Sequence, residues 1–147
     1  MSELTTLLKK MKAICDSHNG EDTFKAPVLL DDVLLWEKNN GVKLSEELKE
    51  FYCFSNGMEL RIYFSTFRIC PIEELEFREG GVFGSGEYNG FTEIGDIVGD
   101  GSLICINRDY NIYTVYEGDD EPSEDSLIEL IKEEIVHLEE KIENRDY

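Results

Sequence analysis

Positive charge is what this sequence has least of. Only 14 lysines and arginines stand against 33 aspartates and glutamates in 147 residues, a net charge of −19 with the two histidines neutral. A coat of that sign repels phosphate backbones and anionic lipid, which argues against nucleic-acid binding by charge neutralisation and against peripheral membrane docking. A cationic partner becomes the interesting possibility, with plain solubility as the bland alternative. Long apolar runs are missing too. No window approaches the ~18 apolar residues of a membrane-spanning helix, and Met1-Ser2-Glu3-Leu4 lacks the basic stretch and apolar run of a signal peptide. A cytoplasmic protein is expected. The four cysteines, Cys15, Cys53, Cys70 and Cys105, lie far apart and form no C-x-x-C pair. They read as small buried hydrophobes in a reducing compartment, with no disulfide or metal role.

The usual carriers of chemistry are equally thin. The segment Gly80-Gly81-Val82-Phe83-Gly84-Ser85-Gly86 invites a phosphate-loop reading, yet no Lys-Ser or Lys-Thr follows it and Glu79 and Glu87 flank it with the wrong charge. A surface loop from Glu79 to Gly90 is expected instead. Asp96 and Asp100 lack the third acid and terminal glutamate of an EF-hand loop. His18 sits in a polar connector, and His137 lies on a helix with Glu133 four residues before it, an incomplete metal set. No Gly-x-Ser-x-Gly or Cys/His signature is present, and carboxylate pairs such as Glu46-Glu47, Glu73-Glu74 and Asp119-Asp120 fall at expected helix starts and turns, where acids are solvated. The expectation is a protein without catalysis, metal or cofactor.

Core-forming residues are plentiful: 41% of the chain is hydrophobic and 11% aromatic. Disordered acidic chains are poorer than that. One domain over residues 1–147 is expected, long enough to bury roughly 70% of the surface the unfolded chain exposes. Leu4, Leu7, Leu8, Met11 and Ile14 mark an amphipathic helix ending before Ser17. Asp31 and Asp32 are expected to cap a second helix carrying Val33, Leu34 and Trp36, stopped by Asn39, Asn40 and Gly41. Ser45 caps a third, with Leu48, Phe51 and Tyr52 as its buried face. Past Asn56-Gly57 the period changes to two, and Met58, Leu60, Ile62 and Phe64 alternate with Glu59, Arg61, Tyr63 and Ser65 as in a half-covered strand. Phe67, Ile69 and Ile72, interrupted by Pro71, suggest a short strand running into an acidic turn. Phe91 to Asp96 is extended, Gly99-Asp100-Gly101 a tight hairpin, and Ser102 to Asn107 a strand covered on both faces at the sheet centre. Ile112 to Tyr116 is its partner strand, Gly118 to Glu124 an acidic loop, and Ser126 with Glu129 a capping box for a last helix striped by Leu127, Ile131, Ile135, Leu138 and Ile142.

The order of these pieces resembles the SUKH superfamily, the group of the fungal Smi/Knr cell-wall regulators and many bacterial toxin-immunity proteins. The resemblance rests on Val33-x-x-Trp36-Glu37, Gly41-Val42-x-Leu44-Ser45-x-x-Leu48-x-x-Phe51-Tyr52 and Ser55-Asn56-Gly57. It continues through Phe67-Arg68-Ile69-x-Pro71-Ile72-Glu73-Glu74-Leu75, Ile94-Gly95-Asp96, Gly99-Asp100-Gly101-Ser102-Leu103-Ile104-Cys105-Ile106 and Asp125-Ser126-Leu127-x-Glu129-Leu130. Ser45 stands where the family usually has proline, Leu127 where it often has an aromatic, and Met58 where a second glycine is common. The resemblance implies an α+β fold, with N-terminal helices and a C-terminal helix packed on a curved, largely antiparallel β-sheet. It also implies a cytosolic immunity protein that binds and occludes a toxin domain, such as a nuclease, whose basic surface an acidic inhibitor suits. The alternative it implies is a non-enzymatic regulatory or scaffold module. Trp36, Glu37, Asn56, Gly57, Gly95, Asp96, Asp100 and Gly101 are expected to be structural. Partner contacts are expected from Glu87, Tyr88, Asn89, Glu93, Asp109, Tyr110, Asp119 and Asp120, exposed acids and aromatics on loops and strand edges.

Overall fold

Helix α1 (Glu3–Asp16) starts where the Ser2 hydroxyl accepts the Thr5 N–H, and it buries Leu4, Leu8, Met11 and Cys15 at helical spacing. The computed structural model describes residues 2–17, 23–41, 43–60, 67–78, 91–97, 102–106, 110, 112–116, 119–124 and 126–143. Helix α2 (Leu30–Asn40) ends on Gly41, whose φ of 65° is the left-handed stop that its Asn-Asn-Gly sequence suggests. Its start departs from expectation. Leu29 is the N-cap and makes no side-chain cap bond; Asp31 and Asp32 lie inside the first turn, where they face the helix dipole without capping. Helix α3 (Glu46–Phe54) is capped by Ser45 and buries Leu48, Phe51 and Tyr52 as expected. Helix α4 (Leu127–Glu143) opens with the Ser126 hydroxyl accepting the Glu129 N–H at 3.2 Å and buries Leu127, Leu130, Ile131, Ile135 and Leu138. Its 17 residues span about 25 Å at 1.5 Å per residue.

The strands are β1 (Met58–Glu59), β2 (Phe67–Ile69), β3 (Glu76–Arg78), β4 (Phe91–Ile97), β5 (Ser102–Ile106), β6 (Ile112–Tyr116) and β7 (Asp119–Glu124). They form a seven-stranded sheet in the order β1-β2-β4-β5-β6-β7, with β3 also on β4. Every pairing is antiparallel. Together with the four helices this is an α+β fold.

Strands β2 and β3 both pair with β4, at Gly95 to Ile97 and at Phe91 to Glu93 respectively, so they act as one interrupted strand. Pro71 causes the interruption. It lacks the N–H a ladder needs, and the chain makes a 3-10 turn over Ile72–Glu74 before extending again at Leu75. Ile72 is therefore a buried turn residue and not the strand residue its alternation suggests. In β5, Ile104, Cys105 and Ile106 are buried in succession, as a strand covered on both faces requires. Asp119 to Glu124, expected as loop, is instead strand β7, paired with β6 from Tyr116↔Asp119 to Ile112↔Glu124 around a bulge. Its backbone pairing overrides a composition poor in strand formers.

One apolar core joins the helices to the sheet, with Leu8, Met11, Val33, Leu48, Phe51, Leu60, Ile94, Ile112, Ile131 and Leu138 essentially inaccessible. α1 packs on α3 and α4, α2 on α3, and α4 on β7. Cys15, Cys70 and Cys105 are buried as expected, but Cys53 is exposed because it lies on the side of α3 away from Leu48 and Tyr52. Among the described residues no helix is long and apolar enough to cross a membrane.

Candidate partner-binding surface

The Ser55-Asn56-Gly57 step joins four parts of the chain. The Ser55 hydroxyl accepts the Lys25 N–H at 2.9 Å and donates to the Gly57 carbonyl at 2.5 Å. The Asn56 amide oxygen accepts the Ile72 N–H at 2.8 Å, its NH2 donates to both Glu73 carboxylate oxygens at 3.2 Å, and its backbone N–H reaches the Ala26 carbonyl at 3.0 Å. Gly57 has φ of 90°, and a Cβ there would sit 2.8 Å from the Ile69 carbonyl oxygen. Gly95 is tighter still: a Cβ would lie 2.0 Å from the Arg68 carbonyl oxygen on β2.

The neighbouring expected structural residues make equally local bonds. The Glu37 carboxylate accepts the Leu44 N–H at 2.7 Å, fixing the turn from α2 to α3. Trp36 is half-buried against the core. Asp96 faces its cross-strand partner Arg68 at 3.5 Å, and Arg68 also holds Glu74 at 3.1 Å. Behind them the Tyr52 hydroxyl donates to the Cys70 carbonyl at 2.8 Å in a site dry enough to raise the tyrosine pKa. Burial pushes the Cys70 thiol up to about 12, against a smaller lowering by Arg68. Asp100 and Gly101 lie outside the described residues.

Two acids of α3 serve other helices. Glu50 accepts the Thr5 N–H at 3.1 Å and the Thr5 hydroxyl at 2.8 Å, and also bonds the Ser2 hydroxyl, so it closes the start of α1. Glu47 accepts the Ile128 N–H at 3.0 Å and closes the start of α4. Free helix-start N–H groups favour a carboxylate in both places. Glu47 is thus tied to another element and is not the solvated acid its position suggests.

The expected contact residues divide sharply. Glu87, Tyr88, Asn89 and Asp109 lie outside the described residues, as do the 80–86 glycine segment, the 99–101 hairpin and His18. Glu93 is half-buried on β4, paired across from Glu76 and Cys105. Asp119 and Asp120 lie on β7, which in the described sheet has β6 as its one neighbour and so stands at an edge. That edge carries Asp119, Asp120, Glu121 and Glu124 with Pro122, the composition of a strand that resists unwanted pairing. Tyr110 is exposed, has φ of 67°, and donates its hydroxyl to the Lys43 carbonyl at 3.3 Å, beside the α2–α3 turn.

An apolar patch escaped the sequence reading. Leu29, Leu30, Leu34 and Leu35 are 72, 52, 43 and 53% exposed, Leu34 being one of the residues that mark the second helix in the sequence. A pattern of leucines shows helix and not which neighbour covers it. Among the described residues no group of three metal-ligating side chains comes together, and His137 pairs only with Glu133 and Glu134 at 3.1 and 3.6 Å. An open groove of about 620 Å³ is lined by Lys9, Lys12, Lys25, Asp16, Phe24 and Phe54 among others; these supply no nucleophile beside a base. No protein-family model matches the chain, and no curated protein matches it in sequence.

Proposed function

We propose that this chain is a stoichiometric protein inhibitor of the SUKH immunity type, which binds a basic toxin domain and covers its active surface without chemistry of its own. The observation that carries this reading is the acidic edge strand β7, which brings Asp119, Asp120, Glu121 and Glu124 together in sequence on one border of the described sheet, in a chain of net charge −19. A nuclease-like domain that grips phosphate presents cations, and an acidic border both steers its approach and occupies the same charges. The motif residues support the reading indirectly. Asn56, Gly57, Gly95 and Glu37 are engaged in turns and close backbone approaches, so the binding role falls to the remaining surface.

The test is co-expression with the C-terminal domain of a large toxin encoded beside the gene, scored by growth and by co-purification. Rescue with a one-to-one complex is expected. Replacing Asp119, Asp120, Glu121 and Glu124 by their amides should slow association by at least about tenfold at low salt, because steering scales with facing charge. Growth arrest despite expression, or capture of a host regulatory protein in place of a toxin, would replace inhibition with the scaffold role.

A further inference from the structure

We propose that the exposed leucine face of α2, together with Tyr110, is the apolar part of the same partner surface, and that it receives an amphipathic helix of the partner whose apolar stripe is bordered by lysine or arginine. This rests on the inhibitor reading and adds to it which element docks and what it docks.

Four of the six large apolar side chains that the described residues leave exposed lie between Leu29 and Leu35. Helix α1 behaves differently: its exposed positions are Glu3, Thr6, Lys9, Lys10, Lys12, Ala13 and Asp16, with no large apolar side chain among them, and α4 exposes only Val136 of that kind. On α2, at about 100° per residue, Leu30 and Leu34 share one turn-to-turn row and Asp31 and Leu35 the next. Val33 is fully buried and Trp36 and Glu37, three and four residues on, are half-buried, and these mark the side that meets the core. The leucines therefore leave apolar surface that the core does not use.

Charge selects the occupant. Asp31 and Asp32 are exposed on the first turn beside the leucines, while Lys38, the one basic side chain of the helix, ends the Leu30–Leu34 row. An apolar patch with more acid than base at its borders fits an apolar stripe edged by base, with anchors at helical spacing. A second copy of this chain fits less well, since two molecules of charge −19 repel before their leucines meet. Tyr110 offers an exposed aromatic just past the C-terminal end of α2, its hydroxyl donating to the Lys43 carbonyl two residues past Gly41. Tyrosines held in this way are common anchors at interfaces.

The probe is a synthetic amphipathic helix of leucine and lysine, with polylysine and a leucine/glutamate helix as controls, titrated into the full chain by calorimetry. The wild type should bind the leucine/lysine helix at least tenfold more tightly than either control. The double variant Leu34→Ser, Leu35→Ser should lose that tenfold, and Asp31→Asn with Asp32→Asn should lose a salt-dependent part of it. Amides on β7 should leave the preference for leucine over polylysine intact. Leu29→Ser guards against misfolding, because a serine N-cap supports α2 while removing one leucine; it should bind less tightly with an undiminished melting temperature. Equal binding of polylysine, or full binding by the double serine variant, overturns the proposal. So does a wild-type dimer in sedimentation that Leu34→Ser, Leu35→Ser dissociates, which would make the occupant a second copy. Toxin rescue without helix binding removes this inference alone; helix binding at α2 without toxin rescue removes the inhibitor reading alone.

Discussion

At the scale of single residues, Asn56 carries more of the fold than its half-exposed position suggests, because its side chain is bonded at both ends to the turn after β2. Asn56→Ala leaves the Ile72 N–H without its partner and should cost about 1–3 kcal/mol in urea denaturation. Asn56→Asp is the sharper probe. It keeps an acceptor for Ile72 but sets a second carboxylate against Glu73, so it should recover only part of the loss and recover more as salt rises. Gly95→Ala should be worse than either, about 3 kcal/mol, since the new methyl meets the Arg68 carbonyl and β2 must move off β4. Cys70 gives the chain a pH dependence. Its thiol titrates near 12 when folded and near 9.0 otherwise, so the neutral form is favoured by the fold. That contribution is complete below pH 9 and fades as pH climbs from there towards 12, at about 1.4 kcal/mol per unit. Tyr52 shifts in the same direction. Unfolding free energies measured across this alkaline range should fall, and Cys70→Ala should make the fall shallower.

At the scale of elements, α3 is short yet it closes the starts of two other helices through Glu50 and Glu47. Glu50→Ala and Glu47→Ala should each cost about 1 kcal/mol, read as a lower melting temperature, with the glutamine variants losing less because an amide oxygen still accepts. Hydrogen exchange should localise the first loss to the amides of α1 and the second to those of α4. Neither cap was legible in the sequence, because each joins residues far apart: 45 positions separate Thr5 from Glu50 and 81 separate Glu47 from Ile128. Local signals did carry through. Ser45 before Glu46-Glu47, the Asn-Asn-Gly stop of α2 and the Ser126/Glu129 start of α4 all lie where short-range chemistry puts them. Strand β7 stayed hidden because Asp-Asp-Glu-Pro-Ser-Glu has no apolar alternation; it is a strand by virtue of the β6 backbone beside it. Strand β3 was masked by the 3-10 turn that Pro71 imposes ahead of it.

At the scale of the whole molecule, the charge of −19 divides into portions with different work. Glu37, Glu47 and Glu50 cap backbone N–H groups, while Asp119 to Glu124 border the sheet. Self-repulsion among the remainder should make the free protein more stable as salt is added towards about 0.5 M, even as the same salt weakens association with a basic partner. Opposite signs for the two measurements separate internal strain from recognition. Individual helices and strands were legible from hydrophobic period, and their α+β arrangement was an expectation from the family resemblance, whereas the candidate surface was in neither: exposure of the α2 leucines depends on what fails to pack there, which no local pattern records. The closure of α4 by Glu47 also bears on how the molecule is made. As the chain leaves the ribosome, α1 to α3 emerge long before α4, and the apolar side of α1 that α4 covers has no lid until the sheet residues have been synthesised. The helical layer can be sealed only once α4 has been made, and the long sequence separation of the α1–α4 contact adds loop-closure cost that slows folding.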